Sequence, residues 1–125
     1  RRYRRPRLRA VPWEETPLRR ALSQADLIIN CTPVGLPPHT EESPLSEQQL
    51  KAVPAGALVY DMIYRPASTR LLRLARNRGL RAQGGLAMLV FQGALAWDLW
   101  FGRLGPVPVM LSTAQQVLEK WEETP

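Results

Sequence analysis

The feature that most constrains this chain is an apolar run of about five helical turns that follows a pair of glycines. Together with the glycines, the stretch extends from Gln83 to Gly102 and reads QGGLAMLVFQGALAWDLWFG. The run is shorter than the roughly 20 apolar residues of a membrane-spanning helix, and it carries Gln92 and Asp98. We therefore predict a long helix over residues 84–102 that is buried inside a soluble protein or against a partner domain.

Gln92 is the amide in the middle of this predicted helix. Helical spacing places apolar residues one turn before it and one turn after it on the same face, namely Met88, Leu89, Leu95 and Ala96. A buried amide without a hydrogen-bond partner lowers stability by roughly 1–3 kcal/mol. Gln92 is therefore expected to bond either a neighbouring backbone group or a ligand.

Length and composition favour one folded domain. A chain of 125 residues has room for a single domain, and 45% hydrophobic residues with four Trp are enough for a packed core. Cys31 is the only cysteine and His39 the only histidine, which excludes a disulfide framework and an ordinary zinc site. The single cysteine fits a reducing cytoplasm, and the charged N-terminus shows no signal peptide. We expect a cytoplasmic protein with no metal.

The positive charge of the chain is concentrated at its N-terminus. The net charge is +6, yet residues 1–9, RRYRRPRLR, hold six Arg and no acidic residue. The rest of the chain has 11 basic and 11 acidic residues and is neutral. A nucleic-acid recognition surface would not vanish with nine residues, so we interpret residues 1–9 as a solvated basic terminal segment and expect no specific nucleic-acid partner. The alternative is a phosphate-binding arm.

Segments typical of strands and helices alternate along the chain. Strands are predicted over Leu8–Val11, Asp26–Asn30, Ala57–Met62 and Leu80–Gln83. Helices are predicted over Glu14–Ser23, Ser46–Leu50, Pro66 to Gly79, 84–102 and, at the C-terminal end, 109–123. The alternation indicates an α/β fold, a doubly wound parallel sheet of about four strands with helices on both faces.

Two of these segments carry more detailed predictions. The segment Asp26–Asn30 is continuously apolar before its last residue, as strands buried in parallel sheets tend to be. In the helix from Pro66, three apolar residues face inwards and Gly79 is placed to end the helix; the inward residues are Leu71, Leu72 and Ala75.

Three of the predicted strands end in loops with unusual residues. Asn30-Cys31-Thr32 follows the second strand, Asp61 to Tyr64 closes the third, and Gly84-Gly85 follows the fourth. The stretch CTPVGLPPHTEESP after Asn30 is also a longer loop than a compact domain needs, which points to function or mobility. Because parallel strands bring their carboxyl ends to one edge of the sheet, where open α/β folds bind ligands, these loops predict a site there.

The same three loops carry the residues of a known family. Asn30 to Leu36 (NCTPVGL) resembles the N-A-T-x-V-G-M loop of shikimate dehydrogenases. Asp61 to Leu72 (DMIYRPASTRLL) resembles their D-x-x-Y-x-P-x-x-T-x-L-L segment, and Gly85 to Ala94 (GLAMLVFQGA) resembles their G-L-G-M-L-v-x-Q-G-A run. The similarity covers roughly residues 25–102, and the three motifs follow one another in the family's order and spacing.

The resemblance implies a role for six residues. It implies that the nicotinamide end of NADP lies against four of them, Thr32, Met62, Gly85 and Met88. It also implies that the hydroxyl of Tyr64 and the amide of Gln92 reach the shikimate. A polyhydroxylated acid needs directional hydrogen-bond partners, and an amide offers both a donor and an acceptor. Gly85 has no Cβ, which would let the backbone approach a flat ring.

What the resemblance implies for the whole chain is the C-terminal part of a shikimate dehydrogenase, the second half of a Rossmann-like NADP domain plus a C-terminal helix. The family's reaction is the NADPH-dependent reduction of 3-dehydroshikimate to shikimate. No part of this sequence matches the family's N-terminal substrate domain, its catalytic Lys–Asp pair or its Gly-rich phosphate loop. We therefore expect no catalytic residue in this chain and no activity without the N-terminal domain.

Two alternatives remain open at this point. One lies inside the family and is a quinate/shikimate dehydrogenase, which is often NAD-linked. The other is a non-catalytic piece that binds a partner domain, docked through Trp97, Trp100 and Phe101. The partner in that case is an N-terminal domain or a second subunit, which leaves a homodimer open.

Overall fold

The computed structural model describes residues 9–122. Most of the basic terminal segment, residues 1–8, lies outside the described residues, as do residues 123–125. The elements in chain order are α1 (Glu15–Leu22), β1 (Leu27–Asn30), α2 (Glu47–Leu50), β2 (Leu58–Asp61), α3 (Arg70–Asn77), β3 (Arg81–Gln83), α4 (Leu86–Phe101) and α5 (Val107–Glu122).

The described strands form one parallel sheet in the order β1-β2-β3. Helix α2 connects β1 to β2 and helix α3 connects β2 to β3, as the alternating pattern predicts. The sheet has three strands rather than about four, because residues 9–11 form no strand and Leu8 lies outside the described residues. Pro12 follows directly and has no amide hydrogen to continue a ladder.

The hydrophobic core lies on one face of the sheet, where α1, α2 and α3 pack over it. Val59 is fully buried at the centre of β2, and the core cluster around it consists of Leu18, Leu22, Leu45, Leu50, Val53, Ala57, Leu71, Ala75 and Leu80. On the opposite face, Leu27 and Ile29 are 50% and 51% exposed. Within residues 9–122, the predicted burial of β1 therefore holds on one face only.

Helix α3 shows which local signals set its ends. Its predicted start at Pro66 is wrong, because the helix begins at Arg70 behind a Thr69 N-cap whose hydroxyl accepts a hydrogen bond from the Leu72 amide at 3.4 Å. The predicted end is confirmed, since Gly79 follows the last turn with φ of +80°. The three apolar residues predicted to face inwards are buried as well.

Helices α4 and α5 pack against each other. Ala94 is fully buried between them. A Cβ added to Gly105 would lie 3.2 Å from the Cα of Ala94, so this contact depends on small residues. Helix α4 begins two residues later than predicted and ends at Gly102, which has a φ of +66°. The C-terminal helix begins at Val107 rather than at residue 109.

The predicted long helix is confirmed, and within residues 9–122 it is buried along one side only. Burial of its other side against a partner domain stays a prediction. Val90 and Ala94 are the buried residues of α4. Leu99 is 86% exposed and Trp100 is 74% exposed near its C-terminal end. The apolar residues of a helix are buried only where another surface packs against them. Residues 9–122 supply no such surface at the C-terminal end of α4.

Candidate functional site

The three predicted loops meet at the carboxyl edge of the sheet. Asn30 and Asp61 are register partners at the ends of β1 and β2. Hydrogen bonds continue the alignment beyond the strands, from the Met62 amide to the Asn30 carbonyl at 3.1 Å and from the Gly85 amide to the Ile63 carbonyl at 3.0 Å. The sequence therefore located this edge correctly.

The larger cleft at this edge has a volume of about 560 Å³. Three of the six predicted site residues line it together, namely Thr32, Met62 and Tyr64. The other lining residues are Cys31, Leu36, Pro37, Ile63, Arg65 and Trp121. The cleft thus combines apolar side chains with two hydroxyl groups, which suits an organic molecule that has a flat ring and polar substituents.

The long loop after β1 supplies Leu36 and Pro37 to this cleft and is held against α3. The guanidinium of Arg73 donates to both carboxylate oxygens of Glu41, at 2.9 and 3.0 Å. Arg70 lies 3.5 Å from the same carboxylate. These charge-assisted contacts anchor the middle of the loop, although all three side chains are largely exposed.

A smaller cleft of about 220 Å³ lies on the other side of Tyr64. Gly85 lines it, together with Ala67, Gly84, Leu86, Gln115, Leu118 and Glu119. Tyr64 is 41% exposed and lines both clefts, so its ring stands between them. Four predicted site residues therefore line two clefts that share Tyr64.

Gly85 lies at a tight contact between two stretches of backbone. A Cβ at this position would lie 2.6 Å from the carbonyl carbon of Met62 and closer still to its oxygen. The φ of Gly85 is −79°, which any residue adopts. The glycine is therefore required because the turn after β2 packs directly on the start of α4, and the approach of a flat ring to its backbone stays a prediction.

Met88 and Gln92 do not line either cleft. Met88 is 36% exposed on the first turn of α4, and Gln92 lies one turn further on. The Gln92 side chain is exposed, and its Nε2 donates to the Leu89 carbonyl at 3.1 Å. The expectation of a buried amide is thus wrong for residues 9–122. Of the two expected partners, a neighbouring backbone group and a ligand, the structure contains the first, the Leu89 carbonyl.

Helix α5 contributes to the site, which the sequence reasoning missed. The guanidinium carbon of Arg65 lies 4.8 Å from the ring centroid of Trp121, which fits a cation–π contact. Leu118, one turn earlier, is buried and lines the smaller cleft. The helical period puts Leu118 and Trp121 on one apolar side of the last helix, but nothing in their spacing tells where that side packs.

A buried polar cluster behind the cleft was also missed. Asn30, Asp61 and Thr69 are the buried polar residues of the described chain. Asp61 receives hydrogen bonds from both of the others, from Asn30 at 3.0 Å and from Thr69 at 2.7 Å. Asp61 and Thr69 both belong to the D-x-x-Y-x-P-x-x-T pattern, so the signal was present in the sequence.

The described residues add two negative findings. They contain no group of three or more His, Cys, Asp and Glu side chains that could hold a metal ion. None of the described helices combines the length and the apolarity needed to cross a bilayer. The titratable side chains that line the larger cleft in this part of the chain are Cys31, Tyr64 and Arg65.

A parallel α/β sheet with a ligand-sized cleft at its carboxyl edge defines the class as a Rossmann-like nucleotide-binding unit. The sequence model of the shikimate 5'-dehydrogenase C-terminal domain matches residues 85–115. The NADP(+) shikimate dehydrogenase of Symbiobacterium thermophilum is 55% identical over 101 residues, which cover 81% of this chain and 34% of that protein. The chain belongs to the shikimate dehydrogenase family.

Solved structures agree with this assignment. Shikimate 5-dehydrogenase from Thermus thermophilus, in complex with NADP(H) and shikimate, has a TM-score of 0.70 and 40% identity, over 80% of this chain and 36% of that one. Quinate dehydrogenase from Corynebacterium glutamicum, in complex with NAD, has a TM-score of 0.70 and 27% identity, over 81% of this chain and 34% of that one. The chain spans about a third of the length of the relatives it matches.

Proposed function

We propose that this chain forms the nicotinamide end and part of the substrate wall of an NADP-dependent shikimate dehydrogenase. The enzyme would reduce 3-dehydroshikimate to shikimate, with the hydride supplied by bound NADPH. The observation that carries the proposal is that Thr32, Met62 and Tyr64, three residues from two separate motifs, line one cleft at the carboxyl edge. This is the position at which parallel α/β sheets bind nucleotides.

Four residues would hold the nicotinamide end of the cofactor. Met62 offers a polarisable apolar surface for one face of a ring. The Thr32 hydroxyl donates to the Asn30 Oδ1 at 2.7 Å and accepts from the Val34 amide at 3.3 Å, which fixes its position in the wall of the cleft. Gly85 keeps the turn after β2 close to the start of α4, where Met88 follows within one turn. In this proposal Met88 contacts the cofactor from the α4 side.

Two residues would hold the substrate. The Tyr64 hydroxyl makes no hydrogen bond to another residue in the described part of the chain, and its ring is part-exposed between the two clefts. Gln92 is exposed, and among residues 9–122 its side chain is bonded through Nε2 alone, so its Oε1 is available there as an acceptor. Gln92 lies six residues after the first residue of α4, about 9 Å along the helix axis, and would meet the substrate further along α4 than Met88 meets the cofactor.

The other parts of the catalytic apparatus would come from the two thirds of the relatives that this chain does not match. These are the Lys–Asp pair that transfers the proton, the Gly-rich phosphate loop and the N-terminal substrate domain. The exposed apolar end of α4 supports this arrangement, because Leu99, Trp100 and Phe101 are 86%, 74% and 59% exposed and would dock that domain. The chain by itself would be inactive.

A second candidate is quinate as substrate with NAD as cofactor. The likeness to the quinate dehydrogenase of Corynebacterium glutamicum favours it. The cleft residues offered by this chain suit both substrates, because both are polyhydroxylated carboxylic acids. The 2′-phosphate of NADP would be bound outside the matched region, so the cofactor preference would be set there.

A chimera tests the proposal. The part of the Symbiobacterium thermophilum enzyme that this chain does not match, about two thirds of it, is joined to the start of the matched region of this chain. We expect the chimera to fold and to form NADPH from NADP and shikimate, whereas the chain alone forms none. Parallel assays with quinate and NAD decide between the two candidates.

The identity of 55% predicts that the surfaces between the two parts are interchangeable. A chimera that folds but has no turnover with any of these substrates would contradict the proposal. A second chimera takes its N-terminal part from the Thermus thermophilus enzyme. If neither chimera folds, the proposal is also contradicted, because a matching C-terminal part should fold with both N-terminal parts. Turnover by the chain alone would contradict the need for the N-terminal part.

A further inference from the structure

The buried polar cluster lies where β1, β2 and α3 meet. Asn30 and Asp61 are the last residues of neighbouring strands and oppose each other in the register. Both lie on the face that the helices cover, two residues after Ile28 and Val59. An apolar pair would fill such a position without any need for hydrogen bonds, so packing alone does not explain two polar side chains here.

Asp61 acts as an acceptor for three donors. Its Oδ1 accepts from the Asn30 Nδ2 at 3.0 Å and from the Ile63 amide at 3.1 Å. Its Oδ2 accepts from the Thr69 hydroxyl at 2.7 Å. One fully buried carboxylate therefore fixes the end of β1, the turn after β2 and the start of α3 relative to one another.

Asn30 carries this connection into the cleft. Its Oδ1 accepts from the Thr32 amide at 3.0 Å and from the Thr32 hydroxyl at 2.7 Å. Its Nδ2 lies 3.4 Å from the Val34 carbonyl in addition to its bond with Asp61. Because β1 has one neighbouring strand among the described residues, the loop after it is held at this end by the Asn30 side chain rather than by a second strand.

We propose that Asn30 and Asp61 are a positioning pair that sets the distance between Thr32 and Met62 across the cleft. The Asn30 side chain holds Thr32 on one wall, and Asp61 holds the turn that presents Met62 on the other wall. One hydrogen bond between the two side chains joins the walls. The assignment of these walls to the nicotinamide rests on the proposed function, but the mechanical connection itself does not.

The donors around Asp61 provide matched variants. In Asp61→Asn, the amide oxygen can still accept from Asn30 and Ile63, while its NH₂ group faces the Thr69 hydroxyl, which can accept. Asp61→Asn therefore keeps the connection to Asn30, whereas Asp61→Ala removes it. Thr69→Val removes one bond to Asp61 and the α3 cap but leaves Asn30 in place. It is the control for loss of stability without loss of positioning.

Hydrogen exchange in the 125-residue chain tests the connection without any activity. The Leu50 amide, bonded to the Ser46 carbonyl at 3.0 Å, serves as the reference for global opening. We expect Asp61→Ala to accelerate exchange at the Thr32 amide on the order of tenfold relative to Leu50, although Asp61 is joined to Thr32 only through Asn30 in the hydrogen bonds of the described residues. Asn30→Ala should do the same, and it keeps the test available if Asp61→Ala does not fold.

The conservative variants decide the interpretation. Asp61→Asn and Thr69→Val should leave the relative exchange at Thr32 unchanged, even where they lower Tm. Equal acceleration in Thr69→Val would mean that the cluster only stabilises the fold. Unchanged exchange at Thr32 in Asn30→Ala, or in Asp61→Ala if it folds, would show that the side chains do not hold this wall. Either result would overturn the positioning pair.

Kinetics in the chimera test the consequence for the reaction. A displacement of about 1 Å at a reacting centre lowers the rate roughly a hundredfold, so Asn30→Ala should lower kcat by about tenfold to a hundredfold. KM for NADP should change little, because other parts of the enzyme bind the rest of the cofactor. Asp61→Asn should retain most of the kcat that Asp61→Ala loses.

The exchange and kinetic results separate the two proposals. An inactive chimera together with the expected exchange pattern would contradict the proposed function and leave the positioning pair standing. An active chimera in which Asn30→Ala keeps full kcat would contradict the positioning pair and leave the proposed function standing.

Discussion

The guanidinium carbon of Arg65 lies 4.8 Å from the ring centroid of Trp121, so the turn after β2 is joined to the last turns of α5. This contact brings the C-terminal helix to the edge of the sheet where the larger cleft opens. The cleft is therefore bounded by residues that are far apart in the sequence. Its shape depends on how α5 packs and not on the three motif loops alone.

A double-mutant cycle on this pair measures the contact. Exposed cation–π pairs contribute about 0.5–1 kcal/mol, and Trp121 is 48% exposed. We expect Arg65→Gln and Trp121→Leu to show a coupling of that size in the free energy of unfolding, determined by urea denaturation. A coupling of zero would mean that the two side chains are neighbours without a stabilising interaction.

Gly85→Ala should destabilise the protein far more than Gly84→Ala does. The added methyl group at residue 85 would collide with the Met62 backbone, whereas at residue 84 the nearest atoms are at 3.4 Å. We expect a loss of about 1–3 kcal/mol or more for Gly85→Ala, as for overpacked sites. Thermal denaturation of the two single variants checks this. Equal Tm values would contradict the tight packing of the turn on α4.

Replacement of Gln92 separates a ligand contact from a structural one. Its hydrogen bond to Leu89 is local and exposed, so Gln92→Ala should leave Tm nearly unchanged. In the chimera the same change should lower kcat/KM for shikimate about twofold to a hundredfold, as expected for one hydrogen bond of about 0.5–3 kcal/mol. A variant with a clearly lower Tm and unaltered kcat/KM would show that Gln92 serves the fold.

Tyr64→Phe provides a second test of the substrate wall. The ring that stands between the two clefts is kept, so Tm should be preserved. The loss of the hydroxyl should lower kcat/KM for shikimate in the same direction as Gln92→Ala. Full activity of the Phe variant would leave the ring as a spacer and would remove the hydroxyl from the proposed substrate contacts.

Local signals were the part of the fold that the sequence predicted well. Gly79 ends α3 because its φ is positive there, and the spacing of Leu71, Leu72 and Ala75 follows from the helical period. The carboxyl edge was located because parallel strands leave little freedom in where their ends meet. These features depend on a few neighbouring residues or on topology.

What the sequence did not predict depends on distant packing. Gln92 was expected to be buried because its neighbours are apolar, yet α4 projects its apolar end from the described part of the chain. The helical period puts Trp121 on an apolar face of α5, but the partner of that face, Arg65, cannot be found from periodicity. The cluster around Asp61 lay inside a quoted motif, and only its burial reveals that it joins two walls of the cleft.

Deletion of the basic terminal segment, residues 1–9, should leave the fold intact. Arg9 is exposed, and the sheet and core begin later in the chain. Any DNA affinity should be weak, independent of sequence and steeply reduced by salt, and it should be lost in the deletion variant. Binding that persists at physiological salt and distinguishes between sequences would contradict the interpretation of this segment as a solvated end.

The most direct test of the proposed nicotinamide site uses the three methionines of this chain, Met62, Met88 and Met110. In the chimera, methyl-labelled methionines are assigned by single Met→Leu substitutions, and nuclear Overhauser effects from the nicotinamide protons of bound NADP are recorded. Met110 packs near Gly105 between α4 and α5 and serves as the internal control. We expect contacts from the nicotinamide to the Met62 methyl group and none to Met110. Contacts that bypass Met62 while NADP is bound would contradict the assignment of this cleft to the cofactor.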